Sequence, residues 1–231
     1  MTSIAANLQA VRERIAAACL AAGRQTGSVS LLAVSKTWPA SAVRDAASAG
    51  QVAFGENYVQ EALDKIAALG DLALEWHFIG PLQSNKTRTV AENFSWVHSV
   101  DRLKIAERLA AQRPPSLPPL NVCLQVNVSG ETSKSGCTPS EAPALAAAVA
   151  RLPGLRLRGL MTIPEPTDDA ALQRRRFATL RTTLEAIGKA TGREFDTLSM
   201  GMSDDLEAAI MEGASIVRIG TAIFGERNYT T

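Results

Sequence analysis

Apolar positions along the chain follow two alternating rhythms. Ile4, Leu8, Val11, Ile15 and Cys19 recur at the spacing of an amphipathic helix, and Gly23 supplies its stop. Leu31 to Val34 then reads Leu-Leu-Ala-Val, continuously apolar, as a parallel strand covered on both faces must be. Pro39 opens a helical stretch ending near Gly50, because its fixed φ and missing N–H are tolerated in a first turn. The strand-then-helix pattern repeats from Val52 to Phe54 with a helix to about Leu69, from Trp76 to Ile79 with a helix to about Asn93, and from Trp96 to Val100 with a helix to about Gln112. Further strands are expected at Val122 to Val128, Leu155 to Met161, Phe195 to Ser199 and Ile216 to Ile219. Helices follow the first three of these, and a short closing segment follows the last.

Such alternation specifies an α/β fold with a parallel sheet and right-handed crossovers, which either closes or stays open as a doubly wound sheet. About eight units, a short repeat and no glycine-rich fingerprint after the first strand favour closure. The expectation is a single (β/α)8 TIM barrel with an extra N-terminal helix, one domain over residues 1–231. Arg113-Pro-Pro-Ser-Leu-Pro-Pro119 reads as a rigid helix-to-strand loop and not as a domain boundary, since the next strand resumes the rhythm.

Composition narrows the partners. With 46% hydrophobic and only 5% aromatic residues the core is aliphatic and rich in alanine. Lys and Arg number 24 against 23 Asp and Glu, so no basic field gathers a nucleic acid. Cys19, Cys123 and Cys137 form no CxxC pair and leave one thiol over in any pairing scheme, which fits a reducing cytoplasm. No basic-then-apolar leader opens the chain, and no apolar run approaches the ~18 residues of a membrane span. A cytoplasmic protein without a membrane partner is expected, a monomer being favoured over an oligomer.

In such barrels reactive groups lie at the C-terminal ends of strands and in the loops that follow. Lys36 ends the first strand run and is followed by Thr37-Trp38-Pro39, which places its amine near the mouth. Most strand-end lysines simply snorkel to water. A functional one forms an imine with an aldehyde, its amine activated by burial, and needs a matching anion site. Two late loops offer that site: Ser199-Met-Gly-Met-Ser-Asp204 and Arg218-Ile-Gly-Thr-Ala222. Gly201 and Gly220 allow backbone to approach an anion or merely make turns, Ser199 and Thr221 carry donor hydroxyls, and Ser203 is placed to cap the next helix. Arg218, on an apolar strand, needs an acceptor if it is buried.

Ala33-Val-Ser-Lys-Thr37, Phe54-Gly-Glu-Asn-Tyr58, His77-Phe-Ile-Gly-Pro-Leu-Gln-Ser-Asn-Lys86 and Leu198-Ser-Met-Gly-Met-Ser-Asp204 together resemble the pyridoxal phosphate homeostasis protein family, and the likeness spans nearly the whole chain. His98-Ser-Val-Asp101, Gln125-Val-Asn127, Ser133-Lys-Ser-Gly136, Gly159-Leu-Met161 and Val217-Arg-Ile-Gly-Thr221 agree in order and spacing. The resemblance implies a barrel of the alanine racemase N-terminal-domain type and pyridoxal 5'-phosphate as cofactor. Lys36 would be the imine lysine, Arg218 would face the pyridine nitrogen, and Ser199, Gly201, Gly220 and Thr221 would hold phosphate. Asn57, His77, Ser84, Asn85 and Met161 would lie at or near the mouth. Trp38 departs from the basic residue that members often carry after Lys-Thr.

Racemisation needs a second base opposite the lysine. The chain has only Tyr58 and Tyr229 as tyrosines, and a cation beside the pyridine nitrogen weakens the ring as an electron sink. A non-catalytic carrier that buffers the cofactor and passes it to apoenzymes is therefore expected. The runner-up is a small racemase or lyase using Tyr58 or a partner's residue, and the third reading is an interaction module without cofactor. Lys134 is a candidate relay amine or a solvated loop lysine, and Arg174-Arg-Arg176 reads as an exposed helix face.

Overall fold

The computed structural model describes residues 3–131 and 135–226; Lys134 and Tyr229 lie outside the described residues. Helix α1 (Ile4–Ala21) comes first, its N-terminus capped by the Ser3 hydroxyl, which accepts from the Ala6 amide. The alternation then runs β1 (Ser30–Val34), α2 (Ala40–Ser48), β2 (Ala53–Glu56), α3 (Val59–Ala68), β3 (Glu75–Phe78), α4 (Thr87–Asn93), β4 (Trp96–Val100) and α5 (Leu103–Gln112). It continues with β5 (Leu120–Gln125), α6 (Ala142–Val149), β6 (Leu155–Met161), α7 (Ala170–Thr191), β7 (Thr197–Ser199), α8 (Leu206–Met211), β8 (Ile216–Ile219) and α9 (Thr221–Phe224). All eight strands pair in parallel and in chain order, and β8 returns to β1 to close the barrel. No helix among the described residues is long and apolar enough to cross a membrane.

Closure creates two cores. Between strands and helices lies a continuous apolar shell, to which Phe54, Val97, Leu124, Leu160 and Val217 contribute from the strands and Val43, Ile105 and Phe177 from the helices. Helix α1 extends that shell by burying Leu8, Val11, Ile15, Ala18 and Cys19 while packing against α8 and α9. Inside the barrel the apolar side chains fall into two small groups, Leu32, Val34, Ile79 and Ile216 on one side and Trp96, Cys123 and Met161 on the other. Polar side chains run between them.

Several boundaries differ from the periodicity. Strand β5 begins two residues earlier than expected and stops at Gln125, because the Asn127 side chain turns the backbone by accepting from the Ser129 and Gly130 amides while Val126 bridges to Cys137. Strand β7 starts at Thr197, since Asp196 is turned outward to hold Arg158. Pro39 is the extended N-cap of α2 and not its first helical residue. Ser203 does not cap α8: Asp205 occupies that position, and its carboxylate accepts from the Met202 amide. Arg174 and Arg175 are exposed, as the helix face read from sequence requires, and Arg174 pairs with Glu212; Arg176 departs from it, being largely covered and paired with Glu165. The proline-rich stretch is a loop between α5 and β5, where Arg113 donates to the carbonyls of Pro118, Ala91 and Phe94. All three cysteines are free and buried.

Candidate functional site

A cleft of about 470 Å³ opens at the C-terminal mouth of the barrel, with Lys36, Asn57, Arg218, Gly220 and Thr221 in its wall. Two adjacent strands bring its charged groups together: β1 and β8 run in register with Leu32 opposite Arg218, so Lys36 rises above β1 beside the end of β8. A Cβ on Gly220 would come within 3.2 Å of the Val34 carbonyl, which keeps that wall bare where β8 enters α9. Asn57 Oδ1 is buried without a hydrogen-bond partner among the described residues.

Lys36 stands on a braced turn. Thr37 adopts φ 68°, a left-handed conformation costly for a β-branched residue, and the Trp38 amide closes the turn on the Ser35 carbonyl. Beneath it the Lys65 ammonium donates to the Ser35 carbonyl at 2.7 Å, to Glu56 at 2.7 Å and to Glu61 at 2.6 Å. Glu61 also accepts from the Thr37 amide, and the Ser35 hydroxyl donates to Glu56. Glu56 is fully buried, and loss of solvation raises its pKa against the pull of Lys65. Trp38 stacks on Phe224 at 5.9 Å, fastening the same turn to α9.

Arg218 is held differently. Its Nη1 donates to Ser199 Oγ at 2.9 Å and its Nη2 to the Thr162 carbonyl at 2.8 Å. Ser199 Oγ meets His98 Nδ1 at 2.8 Å, His98 Nε2 meets His77 Nδ1 at 2.9 Å, and His77 Nε2 meets the Glu75 carboxylate at 2.7 Å. Burial lowers the Arg218 pKa to about 10, which leaves it charged at neutral pH. Burial likewise holds His98 well below the ordinary imidazole range, helped by His77 and Arg218. His77 is lowered by burial against the opposing pull of Glu75.

Of the residues singled out by sequence, Lys36, Asn57, Arg218, Gly220 and Thr221 meet in the cleft. Ser199 is buried behind Arg218 with its hydroxyl engaged, and His77 sits deeper inside the barrel. Met161 is fully buried against Trp96 and Cys123. Gly201 is also buried: its φ is +94°, and a Cβ there would lie 2.6 Å from Ala209 Cβ, so packing of α8 requires the glycine. Ser84 and Asn85 lie on the loop before α4, where the Ser84 carbonyl accepts from Thr87 and Arg108. Sequence reasoning missed Arg14, which reaches the cleft from α1, pairs with Glu207 and donates to the Ser203 carbonyl. Its partners lie some 190 residues away, at separations of 189 and 193, so no local pattern could reveal them.

Residues 3–228 match the alanine racemase N-terminal domain family. A pyridoxal phosphate homeostasis protein of Pseudomonas aeruginosa is 66% identical over 229 residues, covering 99% of this chain and 98% of the relative. One from Escherichia coli K12 is 57% identical over 235 residues, covering 100% of this chain and 99% of the relative. Among solved structures, PipY of Synechococcus elongatus, determined with PLP bound, superposes with a TM-score of 0.84 at 39% identity, covering 96% of this chain and 100% of PipY.

Proposed function

The chain belongs to the alanine racemase N-terminal domain family and, within it, to the pyridoxal phosphate homeostasis proteins, and on that premise we propose that it carries pyridoxal 5'-phosphate on Lys36 and passes it on without turning over a substrate. The observation that carries this reading is the meeting of a lysine amine and a buried guanidinium in one cleft wall, on strands that neighbour each other. The bound cofactor supplies an aldehyde that exchanges between amines, a ring nitrogen that takes a proton or a neighbouring cation, and a phosphate.

The residues fit those three groups. Lys36 offers its amine at a rim partly open to solvent, where an incoming amine can reach it. Arg218 presents a fixed positive charge to the ring nitrogen and disfavours its protonation. Asn57 Oδ1, orphaned in the wall, accepts from a ligand hydroxyl and so loses its desolvation cost. Thr221 donates to phosphate beside the bare backbone of Gly220, with Arg14 and Ser203 at the same rim. In this reading Ser199 and His77 act from behind Arg218, Gly201 shapes the turn beneath it, Met161 fills the interior, and Ser84 and Asn85 stay outside the cleft.

Carriage is favoured over racemisation or lyase chemistry because Tyr58 is 57% exposed and absent from the cleft wall, and because Arg218 leaves the ring a weak electron sink. The acceptors are apoenzymes that use the same cofactor, reached in the cytoplasm by a monomeric carrier formed as one domain. Loaded protein mixed with such an apoenzyme is expected to restore its activity, while amino acids incubated with it in D2O keep their α-hydrogen. Rapid α-deuteration would overturn the carrier reading in favour of the racemase.

A further inference from the structure

The hydrogen bonds behind Arg218 do not stop at Ser199. They cross the barrel interior from β8 and β7 through His98 on β4 and His77 on β3 to Glu75, at the opposite end of the barrel. There the Glu75 side chain, 46% exposed, lines a separate hollow of about 330 Å³ with Asn93, Arg113 and Asn121. The two clefts are thus joined by five side chains in unbroken contact.

Donor and acceptor chemistry fixes the direction of every link. Hydrogen bonding from His77 lowers the Glu75 pKa, so the carboxylate is ionised and can only accept; His77 therefore donates from Nε2. With that proton on Nε2, a neutral His77 accepts at Nδ1, so His98 donates from Nε2 and accepts at Nδ1. The Ser199 hydroxyl must then donate to His98, which leaves its lone pairs to receive Arg218. Both imidazoles are neutral, and all four bonds point from Arg218 toward Glu75. Aligned bonds polarise one another, and the anion at the far end makes Ser199 Oγ a stronger acceptor. Among the described residues, the charged neighbours of this row stand at its termini: Arg158 near Glu75, and Asp205 near Arg218.

We infer that Glu75, His77, His98 and Ser199 are positioning residues that set Arg218 against the ring nitrogen of the bound cofactor, so that a change at Glu75 is felt in the opposite cleft. No proton needs to travel; the row works by fixing tautomers and orientation. This inference rests on the function proposed above, and it gives the bottom hollow a handle on cofactor retention.

The chain contains only two histidines, so imidazole nitrogen NMR of the cofactor-free protein reads the row directly. The expected spectrum shows two neutral Nε2–H tautomers whose titrations both lie below the free imidazole midpoint near about 6.5, that of His98 the further below. A Nδ1–H tautomer at either ring, or ordinary titration of both, would overturn the inference without touching the carrier reading. With cofactor loaded, Glu75→Gln keeps the shape but removes the anion, and Ser199→Ala cuts the row next to Arg218. Both variants are expected to keep attachment at Lys36 while shifting the visible band and its pH profile, and to release cofactor about three- to tenfold faster, a change of about 0.7–1.4 kcal/mol. Unaltered band, profile and release in both variants would reduce the row to packing and overturn the inference. A wild type that takes up no cofactor would overturn the functional reading and remove the row's target.

Discussion

Lys36 and Arg218 share one cleft but are secured by opposite means. The lysine rides on a strained turn over Lys65, Glu56 and Glu61, a compact set of full charges packed under β1 and β2. The arginine is anchored by neutral groups strung across the barrel to Glu75, with Asp205 the anion nearer its own end. A group that exchanges its partner benefits from a rim position and a short, stiff support. A group that must present the same charge in every state benefits from burial and fixed donors. The difference predicts that the lysine's support responds to loss of a single charge, whereas the arginine's responds to protonation of an imidazole.

The largest effect is expected from Lys65→Met. It leaves Glu56 without its counter-ion in a fully buried place, and removal of one partner of a buried pair costs about 3–5 kcal/mol. Because the folded pKa of Glu56 is raised, protonated Glu56 favours folding below its ordinary range, and that contribution disappears as pH rises through the folded value. The variant should therefore lose more stability in urea unfolding at neutral pH than in mild acid. Equal losses at both would mean that the cluster is not ionic.

A smaller, oppositely signed effect is expected from the arginine's support. His77 and His98 are depressed in the fold, so their contribution is present above the free imidazole range and is lost as pH falls toward their folded values. Starting near pH 6.5, stability should fall by up to about 1.4 kcal/mol per pH unit for each histidine. Urea unfolding of wild type against His98→Gln checks this, the variant showing the shallower acid slope.

The smallest effect on stability is expected from Thr37→Gly. Relief of the left-handed strain and the added flexibility of the unfolded chain oppose each other, leaving a net change within about 1 kcal/mol. Release of cofactor should nevertheless accelerate, because the Lys36 turn loses its stiffness. Unchanged release would assign the bracing to Glu61 and Lys65 alone.

The barrel was legible because buried parallel strands and amphipathic helices leave different periods in the chain. The end of β5 was not, because Val126 and Val128 continue the apolar run while the Asn127 side chain turns the backbone between them. Lys36, Arg218 and the Gly220-Thr221 step were legible because strand ends of such a barrel point to its mouth. Lys65 was not, since a lysine on a helix reads as solvated until β2 places Glu56 against it. His77 was noticed but assigned to the cofactor's surroundings; its contact with His98, 21 residues away, depends on the register of β3 with β4. Arg14 and Ser199 gained their places only from closure of the barrel.

The most direct measurement of the central claim is borohydride treatment of cofactor-loaded protein followed by peptide mass mapping. The expected result is a visible band that reduction bleaches, with the reduced cofactor fixed on Lys36, and no band or adduct in Lys36→Ala. An adduct on another lysine, or a band that survives in Lys36→Ala, would contradict it.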